Sequence, residues 1–94
     1  MNDATTREAR IRAALAQAFP DADITLVDES HLHRGHAGAR DGRGHFRLGI
    51  TSPVFAGQLP LARHRRVFEA LQELMATDIH ALSIDAKTPQ ERGR

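Results

Sequence analysis

The spacing of apolar residues along the chain alternates between helical and strand periods. Ile11, Leu15, Ala18 and Phe19 recur at helical spacing, and Thr5 followed three residues later by Glu8 has the form of a capping box. A first helix running to Phe19 is therefore expected, with Pro20 ending it. Ile24, Leu26 and Val27 among Thr and Asp read as a short strand, Asp23–Asp28. Over residues 44–52, Phe46, Leu48 and Ile50 alternate with His45, Arg47, Gly49 and Thr51, which predicts a strand with one apolar face. Pro53, Gly57 and Pro60 punctuate a turn around Val54 and Phe55. Residues 61–75 read as the longest helix, with Val67, Phe68, Leu71, Leu74 and Met75 on one side. Residues 81–86 form a last strand in which Leu82, Ile84 and Ala86 share a face, and the tail adds at most a short turn before fraying.

The order helix, strand, strand, turn, helix, strand implies an α+β fold, a three-stranded sheet packed on one side by helices. Ninety-four residues make one domain with a thin core, expected over about residues 6–88 with mobile tails. A hydrophobic fraction of 40% and a charged fraction of 27% are ordinary for a globular chain. No apolar run approaches the ~18 residues that span a bilayer, and the first ten residues lack the apolar core of a secretion signal. A cytoplasmic protein with no membrane partner is the expectation.

The net charge of +1 conceals an asymmetry. Residues 31–66 hold seven arginines against Asp41 alone, together with five of the six histidines, while both flanking segments are acidic. Such a segment attracts an anionic partner, nucleic acid or an acidic protein face, unless it is simply a solvated surface. There is no cysteine, so disulfides, thiolate nucleophiles and self-sufficient thiolate metal sites are excluded. Four Phe are the only aromatics, too few for an extended base-stacking platform.

The first two strands are separated by about fifteen residues rich in Gly and His, ESHLHRGHAGARDGR, and a loop this long in so small a domain is usually functional or mobile. Asp28-Glu29-Ser30-His31, Gly35-His36, His45-Phe46, Phe55-x-Gly57, Arg63-His64-Arg65 and Ile79-His80-Ala81-Leu82 stand in an order and approximate spacing that resembles the BolA family over roughly residues 8–90. The resemblance implies a class II KH-like fold, association with a monothiol glutaredoxin and shared ligation of a [2Fe–2S] cluster. It also implies two ligands. The family's variable loop presents Cys or His, and His36 occupies that place, making this a loop-histidine member; the histidine that opens the family's final strand is matched by His80.

Imidazole is a usable iron ligand when neutral, and two histidines can hold one iron of a [2Fe–2S] cluster while thiolates hold the other. A chain without cysteine cannot complete such a site, so a glutaredoxin cysteine and glutathione would supply what is missing. His ligation raises the reduction potential and makes binding pH-sensitive. The other histidines have plainer readings. His31, His33 and His36 are spaced H-x-H-x-x-H, which fits no standard zinc motif. His45 opens a strand and is expected to bond the backbone or face solvent. His64 lies on the helix's apolar stripe and reads as a satisfied core histidine. His80 continues the even-numbered set Leu82, Ile84, Ala86, which fits a structural cap at the core's edge or a ligand.

A catalytic reading finds no thiol, GxSxG elbow, phosphate loop or HExxH, so no enzyme is expected. The rival is DNA binding. The turn before residue 60 leads into a helix bearing Arg63, Arg65 and Arg66, a helix-turn-helix-like element whose basic start could face phosphates or base edges. The family's link to transcriptional regulation points the same way. No GxxG loop of a nucleic-acid-clamping KH domain follows Gly57, and Arg65 with Glu69 at i,i+4 also fits a weak surface pair.

Overall fold

The computed structural model describes residues 6–30 and 44–93. The first helix, α1 (Arg7–Ala18), begins one residue later than the capping-box reading places it: the cap is Thr6, whose Oγ1 accepts the Ala9 N–H at 3.0 Å. Ile11 and Leu15, one helical turn apart, are completely buried, and Phe19 closes the helix at its C-cap. Each such side chain contributes about 1.5–3 kcal/mol of burial free energy.

The strands are β1 (Asp23–Asp28), β2 (Gly44–Thr51) and β3 (Ile79–Lys87), in spatial order β1-β2-β3. The first pair is antiparallel, with Leu26 opposite Leu48, and the second is parallel, with Leu48 opposite Ile84, so the sheet is mixed. Phe46, Leu48 and Ile50 are buried under the helices together with Leu26, as the alternation predicts. His45, Arg47, Gly49 and Thr51 face the other way, toward a side of the sheet that no described helix covers.

A short 3-10 turn, Pro53–Phe55, starts from Ser52, whose hydroxyl accepts the Val54 N–H, and sinks Phe55 into the core. Gly57 then adopts a φ of 75°, a conformation that side chains other than glycine's rarely take. The expected long helix is in fact two: α2 (Pro60–Ala70) and α3 (Gln72–Thr77). They meet at Leu71, whose N–H is shared between the carbonyls of Val67 and Phe68 in a tightened turn while its side chain is fully buried. Phe68, within α2 but off the side that buries Arg63 and Val67, is 38% exposed where one continuous apolar side was expected. The tail does form a helical turn, α4 (Pro89–Arg92), held by a capping box between Thr88 and Glu91.

Candidate functional site

Because β2 and β3 run parallel, both strands begin at the same end of the sheet, and that end carries the histidines. Gly44 pairs with Ile79 and His45 with Ala81, so β3 holds one residue, His80, that β2 does not match. This bulge takes His80 out of the alternation that would have set it beside Leu82, Ile84 and Ala86. Ile79 is completely buried and His80 is exposed. The side chain of His45, opposite in phase to buried Phe46, lies on the uncovered side, and its ring centroid is 5.2 Å from that of His80, the planes tilted by 49°.

A dense set of backbone bonds fixes this corner. The Gly44 N–H donates to the Asp78 carbonyl at 2.9 Å, the Glu29 N–H to the His45 carbonyl at 2.8 Å, and the His45 N–H to Ser30 Oγ at 3.0 Å. Ser30 is itself set by its N–H bond to Asp28 Oδ1 at 2.9 Å. Gly44 is demanded by close approach: a Cβ there would lie 2.7 Å from Ser30 Oγ and 2.8 Å from the Phe46 ring.

Behind the histidines sits Asp78, 7% exposed. Its carboxylate takes a two-pronged bond from Arg10, Nε at 3.1 Å and Nη2 at 2.9 Å, with Arg7 Nε at 3.7 Å. The Arg10 hydrogen bonds, more than the charges of Arg10 and Arg7, hold the Asp78 carboxyl below its usual range against the desolvation that would raise it. One residue thus ties α1 through its side chain and β2 through its carbonyl to the start of β3.

The basic helix is arranged differently from the sequence expectation. Arg63 is 9% exposed and its donors are used inside the fold. Nε reaches the Gln58 carbonyl at 2.7 Å, Nη1 the Ala86 carbonyl at 3.0 Å and Glu91 Oε1 at 2.6 Å, and Nη2 reaches Glu91 Oε2 at 3.1 Å. The guanidinium also lies over the Phe55 ring, 5.9 Å from its centroid. Arg63 therefore ties α2 to β3 and α4, and is not placed to meet DNA. Arg65 and Arg66 are exposed; His64 is half-buried rather than a core residue.

Of the two histidines implied by the resemblance, His80 stands at this corner, while His36, like His31 and His33, lies outside the described residues. Among the described residues no group of three or more His, Cys, Asp or Glu is placed to hold a metal ion, and no helix is long and apolar enough to cross a membrane. Sequence reasoning gave no site role to His45 or Asp78. The alternation that buries Phe46 places His45 on the open face, but its meeting with His80 depends on the parallel register and the bulge, which no local pattern records.

Comparison with known proteins agrees with this architecture. The family described as BolA-like protein matches residues 15–91. Mouse BolA-like protein 1 is 46% identical over 84 residues, covering 89% of this chain and 59% of that protein. SufE-like protein 1 of Arabidopsis thaliana, chloroplastic/mitochondrial, is 40% identical over 91 residues, covering 92% of this chain and 24% of that protein. This chain thus spans a little over half of the first relative and about a quarter of the second. The solved BolA domain of SufE1 from Arabidopsis thaliana superposes with a TM-score of 0.80 at 38% identity, covering 92% of this chain and 95% of that one. With the family matched over most of its length and the same fold in a solved relative, this chain belongs to the BolA family.

Proposed function

We propose that this chain is a non-enzymatic adaptor in iron–sulfur and iron handling, which pairs with a monothiol glutaredoxin and shares a [2Fe–2S] cluster through histidines. The observation that carries the reading is the pairing of an exposed His80 with His45, 5.2 Å between rings, in a chain without a single cysteine. Imidazoles alone fit one iron of such a cluster, and the thiolates for the other must come from a partner, here a glutaredoxin cysteine and glutathione. His80 is the ligand proposed from the described corner and His36 the one proposed from the loop, with His45 packed against His80. The Gly44, Ser30 and Asp78 contacts hold the corner's backbone, so His80 would be presented by a rigid strand start. The occurrence of a BolA domain within a SufE-like protein is consistent with an iron–sulfur role. The same reading places the chain in the compartment of its glutaredoxin, the cytoplasm on the sequence expectation.

The test is to mix the purified chain with a cluster-loaded monothiol glutaredoxin and follow complex size and visible circular dichroism, with His80→Ala and His36→Ala alongside. A stable heterodimer with a new spectrum that His80→Ala abolishes is the expected result. An intact complex whose cluster spectrum is indifferent to His80→Ala would overturn direct ligation.

A further inference from the structure

Far from the histidine corner, the entrance to α2 exposes apolar side chains that the fold has gone to some length to hold still. Leu59, at the N-cap position, is 77% exposed and Leu61, one residue past Pro60, is 62% exposed. The loop that carries them is tied from beneath: the Gln58 N–H donates to the Phe55 carbonyl at 3.0 Å, and the Gln58 carbonyl accepts Arg63 Nε at 2.7 Å. Along the helix, Leu61, Arg65 and Phe68 follow one another at i, i+4 and i+7 and so share a stripe. The opposite side buries Arg63, Val67 and, just past the helix, Leu71.

The chemistry of the stripe selects its occupant. A nucleic-acid backbone offers nothing to two leucines and a phenylalanine, and the arginine best placed at the helix start is bound to Glu91. A second copy packed symmetrically on the same stripe would set Arg65 against its own equivalent, a like-charge opposition with apolar residues on either side. A segment with a carboxylate between apolar side chains complements all three positions. Apolar anchors held on an ordered support lose little freedom on binding, which is what an interface centre requires. We propose that the Leu61–Arg65–Phe68 face of α2, with Leu59 at its entrance, docks an acidic amphipathic segment of a partner protein.

The experiment selects a phage library of random 16-residue peptides on the wild-type chain, with anionic phospholipid vesicles and a mixed-sequence DNA duplex titrated separately. Enriched peptides are expected to carry Asp or Glu flanked by Leu, Ile, Met or Phe. Their affinity should fall at least tenfold for Leu61→Ser and for Arg65→Glu, and a peptide with its acid changed to Lys should recover binding to Arg65→Glu. Arg66→Ser, off the stripe, should bind as wild type, and all three variants alter exposed positions, so unchanged far-UV dichroism is expected of each. Enrichment of peptides without acids, equal binding by Leu61→Ser and Arg65→Glu, or no enrichment at all would overturn the proposal. So would vesicle or duplex binding that depends on Leu61 and Arg65 while peptide binding does not.

Discussion

Each end of the sheet is fastened by an arginine and a carboxylate, but the two ends are finished to different purposes. Where β3 stops, Arg63 reaches Glu91 and the carbonyls of Gln58 and Ala86, and Arg92 of α4 meets Asp23 of β1 at 2.7 Å. That end is closed. Where β2 and β3 start, Arg10 and Asp78 make the equivalent clamp, yet the strand above it bulges and leaves His80 in solvent. Partly buried ion pairs add little net stability when replaced by well-packed apolar groups, but losing one partner is costly because the other remains. Their value here is therefore geometric: the closed end fixes the helices on the sheet, and the open end fixes a platform for two imidazoles.

The largest expected effect lies at the closed end. Phe55 is completely buried, its ring 5.7 Å from that of Phe19 and beneath the Arg63 guanidinium, so it joins α1, the 3-10 turn and α2. Phe55→Ala should cost about 3–5 kcal/mol in urea unfolding. The His45 and His80 ring signals of the residual native state should be unchanged, since the contacts Phe55 makes with Phe19 and Arg63 lie at the other end. If those signals moved with Phe55, the division into two independently fastened ends would fail.

A smaller effect, placed at the open end, is expected from Gly44→Ala. The new methyl meets Ser30 Oγ and the Phe46 ring at less than 3 Å, so the Ser30 hydroxyl or the strand must shift. Overpacking of this kind costs about 1–3 kcal/mol. Because Ser30 Oγ accepts the His45 N–H, the strain should appear first as a change in His45 and His80 ring shifts by NMR, with the closed end unaffected. A stability loss that left both imidazoles unmoved would separate the Gly44 contact from the histidine platform.

How much of this was legible beforehand follows from which forces are local. β1 is found at its expected bounds and β2 within one residue of them, because a period of two against a buried face is written in consecutive residues. The class of fold, a three-stranded sheet packed on one side by helices, followed from element order; the antiparallel and parallel pairing within it did not. The break at Leu71 was not legible, since Val67, Leu71 and Leu74 keep helical spacing across it and only the carbonyls of Val67 and Phe68 reveal the tightened turn. Arg63 was misread for a related reason. Its neighbours Arg65 and Arg66 look the same in sequence, and nothing near residue 63 announces that Glu91 will fold back onto it. His80 was identified by resemblance, but its exposure depends on a bulge, and its neighbour His45 on a parallel register; both are properties of two strands taken together.

The smallest effect sharpens the closed end through pH. Glu91 accepts bonds from Arg63 and from the Thr88 N–H at 2.9 Å, and these hold its carboxyl at about 2, well below its ordinary 4.5. A carboxylate whose folded pKa is depressed stabilises the native state fully above its unfolded value and loses that contribution as pH falls through the folded one. The contribution of Glu91 should therefore be complete above pH 4.5 and fade between about 4.5 and about 2. Glu91→Gln mimics the protonated group without its charge. In thermal melts from pH 7 to pH 2, wild type should exceed Glu91→Gln most at neutral pH, and the gap should narrow across that acid window. The side chain is partly open to water, so the gap itself will be modest and will shrink in salt. A gap that stayed constant down to pH 2 would mean that Gln loses hydrogen-bond geometry rather than charge, and the closed end would then be held by the shape of the Arg63 fork alone.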